Sequence, residues 1–466
     1  MRFLYNLAAI LIVMIIIPIF MLRATRERGF VERIKQSFGF YPKETIEKVA
    51  GKNAIWVHAA SVGEIVATSP LVREFRKKFP DTPILVSVVT TGGYEMAHRI
   101  IKDADAIIYF PLDLPFLASR VVGRIHPRVF LPVETELWPN FLKKAKQLDV
   151  PVMMVNGRIS DRSVKQYKYL LGMLREMIGT VKCFAMQSSI DADYIMRLGA
   201  PRELVTVTGN TKFDQAYTSV SPEERAALIQ ELGLTGASHI MIAGSTHRGE
   251  EELVLAAFAA VREREPNVRL IIAPREVLRT IEVEHLCHKA GFTVNTRKNL
   301  QKGAEGGEDI VILDTVGELG RVYGLGDVIY IGGSLIPHGG HNILEPAAHG
   351  KAIIVGNQMF NFKDIHALFR NRSAVVTVTN GEELTRETLR LFGDAAERER
   401  LERETLAIIN ENKGASAKSA QILVDMLAAY ETRRALRAQE RISAHRVRAT
   451  QKVANFQTYF IDLVHD

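Results

Sequence analysis

The chain has 466 residues, of which 47% are hydrophobic and 24% are charged, proportions that exclude a largely disordered protein. The formal net charge of +7 favours an acidic partner, and nucleic acid, anionic lipid and a nucleotide-sugar all meet that requirement. The two cysteines, Cys183 and Cys287, have no partner at metal-ligand spacing. They argue against a disulfide framework or a zinc site and indicate buried thiols in a reducing compartment.

An almost unbroken apolar run, FLYNLAAILIVMIIIPIFML, covers residues 3–22. About 20 such residues in an α-helix span the hydrocarbon core of a bilayer. No small-residue cleavage site follows, so the run predicts an uncleaved single-pass anchor and not a signal peptide. Basic residues follow at once: Arg23, Arg26, Arg28, Arg33 and Lys35. The positive-inside rule then places the rest of the chain in the cytoplasm. The alternative is a helix buried in a groove of the protein itself.

Short apolar runs of strand length recur in two series, separated by stretches with helical spacing. The first series is 54–60, 83–89, 106–112, 129–134, 151–157 and 183–188, and the second is 239–245, 268–274, 309–314, 328–334, 352–356 and 374–379. Nearly continuous hydrophobicity is typical of parallel strands that are covered on both faces. The sequence therefore predicts an α/β protein with two Rossmann-like, doubly wound domains and ligands at the carboxyl ends of the strands.

The predicted domains are divided by a polar stretch after residue 214, in which Ser221 and Pro222 begin a helix. We place the anchor at residues 1–23, the first domain at 24–216, the second at 217–400, and C-terminal helices with a basic tail at 401–466. The tail is either a helix on a membrane surface or a plain solvated helix.

Carboxylates follow two strands of the first predicted domain. Glu64 lies in a small-residue loop at a predicted helix start, where it is either a partner of the helix dipole or a general base. Glu134 and Glu136 follow another apolar run, and residues two apart on a strand share one face. Both carboxylates are therefore predicted to point into one cleft.

The second predicted domain contains a glycine-rich loop, IGGSLIPHGGHNILEPAAHG, over residues 331–350. Its glycines permit close backbone approach, and a helix predicted to begin near Asn342 would present free amides and a positive helix end to a phosphate. Glu345, one turn into that helix, is then placed to accept hydrogen bonds from ribose hydroxyls. The pattern predicts a nucleotide site.

Several common catalytic motifs are missing, and the Asp-x-Asp pairs have a simpler structural explanation. The sequence has no GxxxxGK[ST] loop, no GxSxG elbow and no HExxH pair. Asp-x-Asp occurs at 103–105 and 191–193, and capping or solvation explains both pairs better than a metal bound to a nucleotide-sugar. No metal site or cofactor is predicted.

Seven stretches, taken together, resemble the Kdo (3-deoxy-D-manno-octulosonic acid) transferases of lipopolysaccharide biosynthesis. They are WVHAASVGE (56–64), VETELWPN (133–140), NGRIS (156–160), TGNTKFD (208–214), GSTHRGEE (244–251), GGSLIPHGGHNILEPAAHG (332–350) and NFKDI (361–365). The resemblance implies the GT-B architecture, with an acceptor-binding first domain and a second domain that binds CMP-Kdo. It implies inverting, metal-independent transfer of Kdo to a lipid A precursor, lipid IVA, at a bacterial inner membrane, without nucleic acid.

The resemblance also implies roles for individual residues. Glu64 would be the catalytic base, and Glu134 or Glu136, with Lys212, would stabilise the transition state. The implied CMP contacts are Pro274, Arg275, Val316, Gly317, Glu318, Asn342, Ile343, Leu344 and Glu345. Glu276 stands where family members often have histidine, which places one detail of nucleotide contact in doubt.

Two alternatives remain at this point. One is another GT-B transferase that uses a UDP-sugar in envelope glycolipid assembly, and competition between CMP and UDP would separate the two. The other is a membrane scaffold without catalysis, whose cellular role would survive replacement of Glu64 by Gln.

Overall fold

The computed structural model describes residues 2–24, 30–159, 171–215 and 220–465. The chain divides into two compact units, residues 1–215 together with 414–466, and residues 216–413. The basic flank at Arg26 and Arg28 and residues 216–219 of the polar stretch lie outside the described residues. Each unit is built around one parallel sheet, which confirms the predicted α/β class.

The first unit contains, in its described residues, a seven-stranded sheet in the order β3-β2-β1-β4-β5-β6-β7. The strands are β1 Ile55–His58, β2 Ile84–Val88, β3 Ala106–Tyr109, β4 Val129–Pro132, β5 Val152–Gly157, β6 Val181–Met186 and β7 Val205–Val207. The strand order reverses at β1, where Trp56 lies opposite Leu85 of β2 on one side and Phe130 of β4 on the other. Ligands of open parallel sheets bind beside such a switch point.

Helices cover both faces of this sheet. The described α-helices within residues 1–215 of the unit are α1 Arg2–Ala24, α2 Phe30–Ser37, α3 Lys43–Ile46, α4 Val62–Lys78, α5 Thr91–Ile100, α6 Pro115–Ile125, α7 Pro139–Gln147, α8 Leu171–Ile178 and α9 Ser189–Arg197. Two of them begin with proline, whose fixed φ and missing N–H suit the first helical position. The predicted capping role of the Asp-x-Asp pairs is confirmed at Asp191, which follows the N-cap Ser188 of α9 and accepts its hydroxyl.

The strands of the first unit are apolar on both faces because both faces are packed. On one face, the Trp56 ring lies edge-on to Phe141 with the ring centroids 4.9 Å apart, and Phe110 and Phe130 complete the aromatic group. On the other face lies Cys183, which is buried and free as predicted, and burial raises the pKa of its thiol to about 11.

The second unit repeats this plan, with a described seven-stranded sheet in the order β10-β11-β9-β8-β12-β13-β14. The strands are β8 Ile240–Thr246, β9 Arg269–Pro274, β10 Val294–Thr296, β11 Ile310–Ile312, β12 Val328–Ile331, β13 Ala352–Gly356 and β14 Val376–Val378. The order reverses at β8, which pairs with β9 on one side and β12 on the other. Cys287 is buried in this unit, and burial raises the pKa of its thiol to about 12.

The helices of the second unit alternate with its strands. They are α10 Pro222–Glu231, α11 Glu251–Arg264, α12 Thr280–Lys289, α13 Arg297–Gln301, α14 Leu319–Val322, α15 Leu344–Ala348, α16 Lys363–Asn371, α17 Gly381–Gly393 and α18 Ala395–Asn412. The predicted start of α10 is confirmed, because Ser221 and Glu224 form a reciprocal capping box there.

The predicted C-terminal helical tail forms α18 and then α19, Ala415–His465. The first turns of α19 pack against the sheet of the first unit through Ala420, Leu423 and Leu427, which are buried. Asp214 accepts the backbone amides of Gly414 and Ser416 and so caps the start of α19. The chain therefore returns to its first unit after completing the second.

At the other end of the chain, α1 contacts the first unit through polar groups. Tyr5 donates its hydroxyl to Asp113 at 3.0 Å, and Asn140 donates its amide to Asn6 at 2.8 Å. Within the described residues, no helix meets the length and apolarity that a membrane span requires. The predicted anchor is therefore not confirmed and stays a prediction.

Candidate active site

Glu64 lies in the first turn of α4, directly after the switch-point strand β1. Ser61 is the N-cap residue and its hydroxyl accepts the Glu64 amide at 3.4 Å. In return, the Glu64 carboxylate accepts the Ser61 hydroxyl at 2.8 Å and the Ala60 amide at 2.7 Å. Glu64 thus lies in the first turn of α4, where a partner of the helix dipole is expected, and its two hydrogen bonds fix its carboxylate at the carboxyl edge of the sheet.

The electrostatic surroundings of Glu64 suit a general base. Its pKa is raised from 4.5 to about 7, first by burial and then by the negative charges of Glu136 and Glu134. The hydrogen bonds from Ala60 and Ser61 lower the pKa but do not cancel these effects. A base with a pKa near the working pH is half-ionised there and accepts protons efficiently.

Glu134 and Glu136 lie near Glu64, but the argument that placed them on one strand face is wrong. The strand β4 ends at Pro132, and Glu134 occupies a turn with φ of +56°, a left-handed conformation that non-glycine residues rarely adopt. The backbone is held there because Val133 pairs with Val155 and the Glu134 amide donates to the Val155 carbonyl at 3.1 Å. Strain of this kind clusters at functional sites.

Lys212 joins the same group from a distant part of the sequence. Its ammonium lies 3.8 Å from the Glu134 carboxylate, and both side chains are mostly buried. Asn156, at the end of β5, accepts the Thr211 amide at 3.0 Å and so fixes the turn that carries Lys212. Glu64, Glu134, Glu136 and Lys212 therefore form one group, called here the carboxylate cluster.

His58, the last residue of β1, also belongs beside the carboxylate cluster and was not among the predicted site residues. Its imidazole is fully buried and lies 3.7 Å from the Glu136 carboxylate. Trp138 donates its indole N–H to His58 at 3.1 Å, and Ser87 contacts the other ring nitrogen at 3.0 Å. A lone polar residue that ends an otherwise apolar strand is the signal that points to it.

A small pocket of about 110 Å³ opens beside Trp138 and has a mostly apolar lining. Phe30 and Ile34 of α2 line one side, and Phe110 and Leu112 line the other. A larger cavity of about 350 Å³ lies at the opposite edge of the sheet, against α19 near Tyr430. That cavity adjoins the amino ends of the strands, whereas open parallel sheets bind ligands at the carboxyl ends. The smaller pocket is therefore the better candidate for a substrate site.

In the second unit, the predicted nucleotide contacts follow three strands of one sheet. Pro274 ends β9 and is buried, whereas Arg275, the next residue, is exposed. Val316 is 74% exposed in the loop after β11, and Gly317 has φ of +97°, which glycine adopts without strain. Glu318 pairs with Arg297 at 3.2 Å, and hydrogen bonds from Thr315 and Arg297 outweigh burial and hold its pKa below the ordinary value.

The third stretch, Asn342 to Glu345, follows β12. Asn342 accepts the Leu344 amide at 3.0 Å and donates to Glu345 at 3.1 Å, while Ile343 and Leu344 are buried. The helix here, α15, begins at Leu344 and has only five residues, so it starts later than predicted.

The three stretches meet at the carboxyl edge of the sheet. A Cβ on Gly320 of α14, two residues after Glu318, would lie 3.6 Å from the Glu345 carboxylate, in ordinary contact with it. Arg275 is close enough to His341 to lower the pKa of that imidazole. The predicted contacts therefore lie around one place, which the sequence indicated only as separate motifs.

The prediction that the glycine-rich loop offers free backbone amides is wrong for its first half. Gly332 donates its amide to the Gly244 carbonyl at 2.9 Å, and Gly340 donates to the Gly333 carbonyl at 2.7 Å. The Gly333 amide donates to the carboxylate of Glu250 at 2.7 Å. The glycines are needed for close packing instead, since a Cβ on Gly332 would lie 2.3 Å from the Ser245 carbonyl oxygen.

Comparison with known proteins agrees with this architecture. Residues 32–215 match the family model described as 3-Deoxy-D-manno-octulosonic-acid transferase (kdotransferase). The 3-deoxy-D-manno-octulosonic acid transferase of Haemophilus influenzae is 32% identical over 92% of this chain and 98% of its own length. The transferase of the same name from Bordetella pertussis is 30% identical over 80% of this chain and 87% of its own length.

Among solved structures, a glycosyltransferase from Rickettsia africae superposes with a TM-score of 0.53 at 14% identity, over 81% of this chain and 99% of that one. This likeness concerns the fold alone, and it shows that the two parallel-sheet units resemble those of GT-B glycosyltransferases. The family assignment rests on the sequence identity with the two transferases from Haemophilus influenzae and Bordetella pertussis. The chain belongs to the family of 3-deoxy-D-manno-octulosonic acid transferases.

Proposed function

We propose that the protein is an inverting glycosyltransferase that moves Kdo from CMP-Kdo to lipid IVA, a precursor of lipid A, with Glu64 as the general base. The observation that carries this proposal is the carboxylate cluster, in which burial and two neighbouring carboxylates raise the pKa of Glu64 to about 7. A glycosyl acceptor is a sugar hydroxyl, which is a weak nucleophile until a base removes its proton.

In the proposed reaction, the Glu64 carboxylate takes the proton of the acceptor hydroxyl while the hydroxyl oxygen bonds to the anomeric carbon of Kdo. The bond from that carbon to the phosphate oxygen breaks on the opposite face, and CMP leaves with the electron pair. Positive charge develops on the sugar in the transition state, and the negative carboxylates of Glu134 and Glu136 stabilise it. Lys212, paired with Glu134 at 3.8 Å, holds that carboxylate in place and limits the local excess of negative charge.

We assign the donor to the second unit, around Pro274 and Arg275, residues 316–318 and residues 342–345. The side chain of Arg275 is exposed at the carboxyl edge of the sheet, where its guanidinium suits a phosphate or a carboxylate. The reaction as written balances charge with protein groups alone, so the proposal includes no metal. The small apolar pocket beside Trp138 suits the lipid part of the acceptor.

We also propose that α1 anchors the protein in the bacterial inner membrane as a single pass, with both units in the cytoplasm. Apolar side chains of α1 are exposed, among them Phe3 at 77% and Ile15 at 67%, and water is an unfavourable surrounding for such a row. Extraction of membranes with alkaline carbonate tests this point. The full chain should remain in the pellet, and release into the supernatant would contradict the anchor.

The pH dependence of transfer tests the assignment of Glu64. Glu64 must be ionised to accept a proton, so kcat/KM for the lipid acceptor should fall as pH decreases through about 7. The Glu64→Gln variant should lose transfer while it still binds CMP. Full activity of this folded variant would contradict the proposal, and preferential competition by UDP over CMP would point to the UDP-sugar alternative.

A further inference from the structure

Glu250 is a buried carboxylate that sits beneath the glycine-rich loop. Its side chain is fully buried, and in the described part of the chain it forms no ion pair. It accepts the backbone amides of Gly333, Ser334 and Leu335 at 2.7, 3.1 and 3.1 Å. It also accepts the Tyr330 hydroxyl at 2.7 Å. Successive loop amides that converge on an oxyanion form the arrangement with which glycine loops bind phosphate, but here the protein itself supplies the anion.

The backbone amides of residues 332–335 and 340 are all occupied and cannot donate hydrogen bonds to a ligand. The Gly332 and Gly340 amides are bonded to carbonyl groups, and those of residues 333–335 are bonded to Glu250. An anion beside residues 332–335 therefore has to be bound by side chains at the open side of the loop.

The side chains on that side are imidazoles and one guanidinium. The Nε2 atoms of His247 and His341 lie 2.8 Å apart, and the ring of the exposed His338 stacks on His247 with the centroids 4.2 Å apart. The imidazoles of His247 and His341 lie against the loop backbone, since a Cβ on Gly333 would come within 3.4 Å of both rings. Arg275 lies beside them, since its backbone amide donates to the carbonyl of Thr246, the residue before His247, at 2.9 Å.

Arg275 supplies the positive charge of this group, because the imidazole of His341 is neutral at pH 7. Burial and the charge of Arg275 lower the pKa of His341 to about 4. The pKa of His247 is also lowered, first by burial and then by His338. Among the described residues, no group of three histidine, cysteine or carboxylate side chains is arranged to hold a metal ion. An anion, in contrast, would accept hydrogen bonds from the guanidinium and from the imidazole N–H that the contact between His247 and His341 leaves free.

We propose that the paired His247 and His341 join Arg275 in binding the negatively charged group of the donor, a phosphate or a carboxylate, and that Glu250 is the positioning residue that fixes the loop beneath them. This inference rests on the proposed function, because it names the donor contacts of the same site. Glu250 acts on the ligand only through the loop. The Glu250 carboxylate also accepts the His247 amide at 3.1 Å, so one group fixes both the loop and the first imidazole.

Equilibrium binding of cytidine, CMP and CMP-Kdo to the full chain in detergent tests the anion site. The variants are His341→Ala and a matched control, His288→Ala, at an exposed histidine of the same unit. Because a hydrogen bond to a charged group is strong, the loss of His341 should weaken binding about tenfold or more. A loss for CMP with cytidine unchanged identifies the phosphate as the bound group. A loss for CMP-Kdo alone identifies the sugar carboxylate.

Two results would overturn the anion site. One is wild-type affinity of His341→Ala for both CMP and CMP-Kdo, and the other is an equal loss for cytidine, which would indicate general damage to the site. Wild-type protein that binds CMP tightly but transfers no Kdo would refute the proposed function and leave the anion site supported. Wild-type protein that binds neither CMP nor CMP-Kdo would overturn both.

The positioning role of Glu250 is tested with Glu250→Gln and, because that variant places an amide group against backbone donors and risks misfolding, with Tyr330→Phe. Tyr330→Phe removes one hydrogen bond to the carboxylate and touches no ligand. It should weaken, by a factor of about 2 to 10, the binding of the same ligand that His341→Ala weakens, CMP or CMP-Kdo, and leave cytidine binding unchanged. A parallel loss for cytidine, or no loss for that ligand, would overturn the positioning role.

Discussion

Replacing Glu64 with Gln should stabilise the first unit at high pH while it abolishes transfer. The pKa of Glu64 is raised from 4.5 to about 7 in the folded protein, so the folded state binds this proton more tightly than the unfolded state does. Stability contributed by such a group is present below pH 4.5 and is lost as pH rises through about 7. Gln has the shape of the protonated acid and carries no charge at any pH, so the variant should not suffer this loss.

The expected gain follows from the size of the shift. At about 1.4 kcal/mol for each pKa unit, the rise from 4.5 to about 7 corresponds to an upper limit of about 3 kcal/mol at pH 8. Glu64 is partly exposed, so water screens part of this energy, and a gain of about 1 to 2 kcal/mol is expected. At pH 4.5 or below, the gain should disappear.

Tryptophan fluorescence during denaturation by urea reports the unfolding of the first unit, to which Glu64 belongs. The chain has two tryptophans, Trp56 and Trp138, and both belong to the first unit. The control is Glu74→Gln, which replaces an α4 carboxylate paired with the exposed Lys77. Equal stability of Glu64→Gln and wild type at pH 8, or a gain of the same size at pH 4.5, would refute the electrostatic reasoning.

Three further predictions concern other groups. Glu136→Gln should shift the acidic limb of kcat/KM toward lower pH by about one unit, because it removes the larger of the two carboxylate effects on Glu64; an unmoved limb would contradict this. Cys183 and Cys287 should react with a thiol reagent only after unfolding, since burial raises both pKa values, and rapid reaction of the native protein would be inconsistent with burial. Asp214→Ala should cost about 1 to 3 kcal/mol in denaturation experiments, because two amides at the start of α19 lose their acceptor, and an unchanged midpoint would argue against that cap.

The strands that sequence reasoning found are those buried on both faces. Apolar runs such as 84–88 and 352–356 leave no polar alternation, and a parallel sheet covered by helices explains that pattern. Two strands were missed, Val205–Val207 and Val294–Thr296, because each has three residues and most of these are exposed or half-buried. At these positions the register comes from the neighbouring strand and not from local hydrophobicity.

The carboxylate cluster was found through motifs, and its geometry was not. The turn at Glu134 depends on pairing between Val133 and Val155, a contact between residues far apart in the chain. Local spacing suggested a strand face because it carries no information about that contact. His58 escaped notice for a related reason, since a histidine at a strand end acquires its meaning only when Trp138 and Glu136 lie beside it.

The glycine-rich loop is the clearest case in which the sequence misled. Glycines before a short helix are typical of a phosphate loop, and nothing local indicates that the amides are already occupied. The occupant, Glu250, lies more than eighty residues earlier in the chain, at the start of α11. A carboxylate that follows a strand and precedes an apolar helix has many possible partners, so only the folded structure identifies this one.

The central claim is most directly tested by the mass of the lipid product. Lipid IVA is incubated with CMP-Kdo and the purified full chain, and in a parallel reaction with the Glu64→Gln variant. The masses of the lipid products are then measured by mass spectrometry. The account predicts that the lipid grows by one or more Kdo units with the wild type and stays unchanged with the variant. A wild type that is folded and binds CMP but leaves the lipid unchanged would contradict the account, and so would growth of the lipid by the variant.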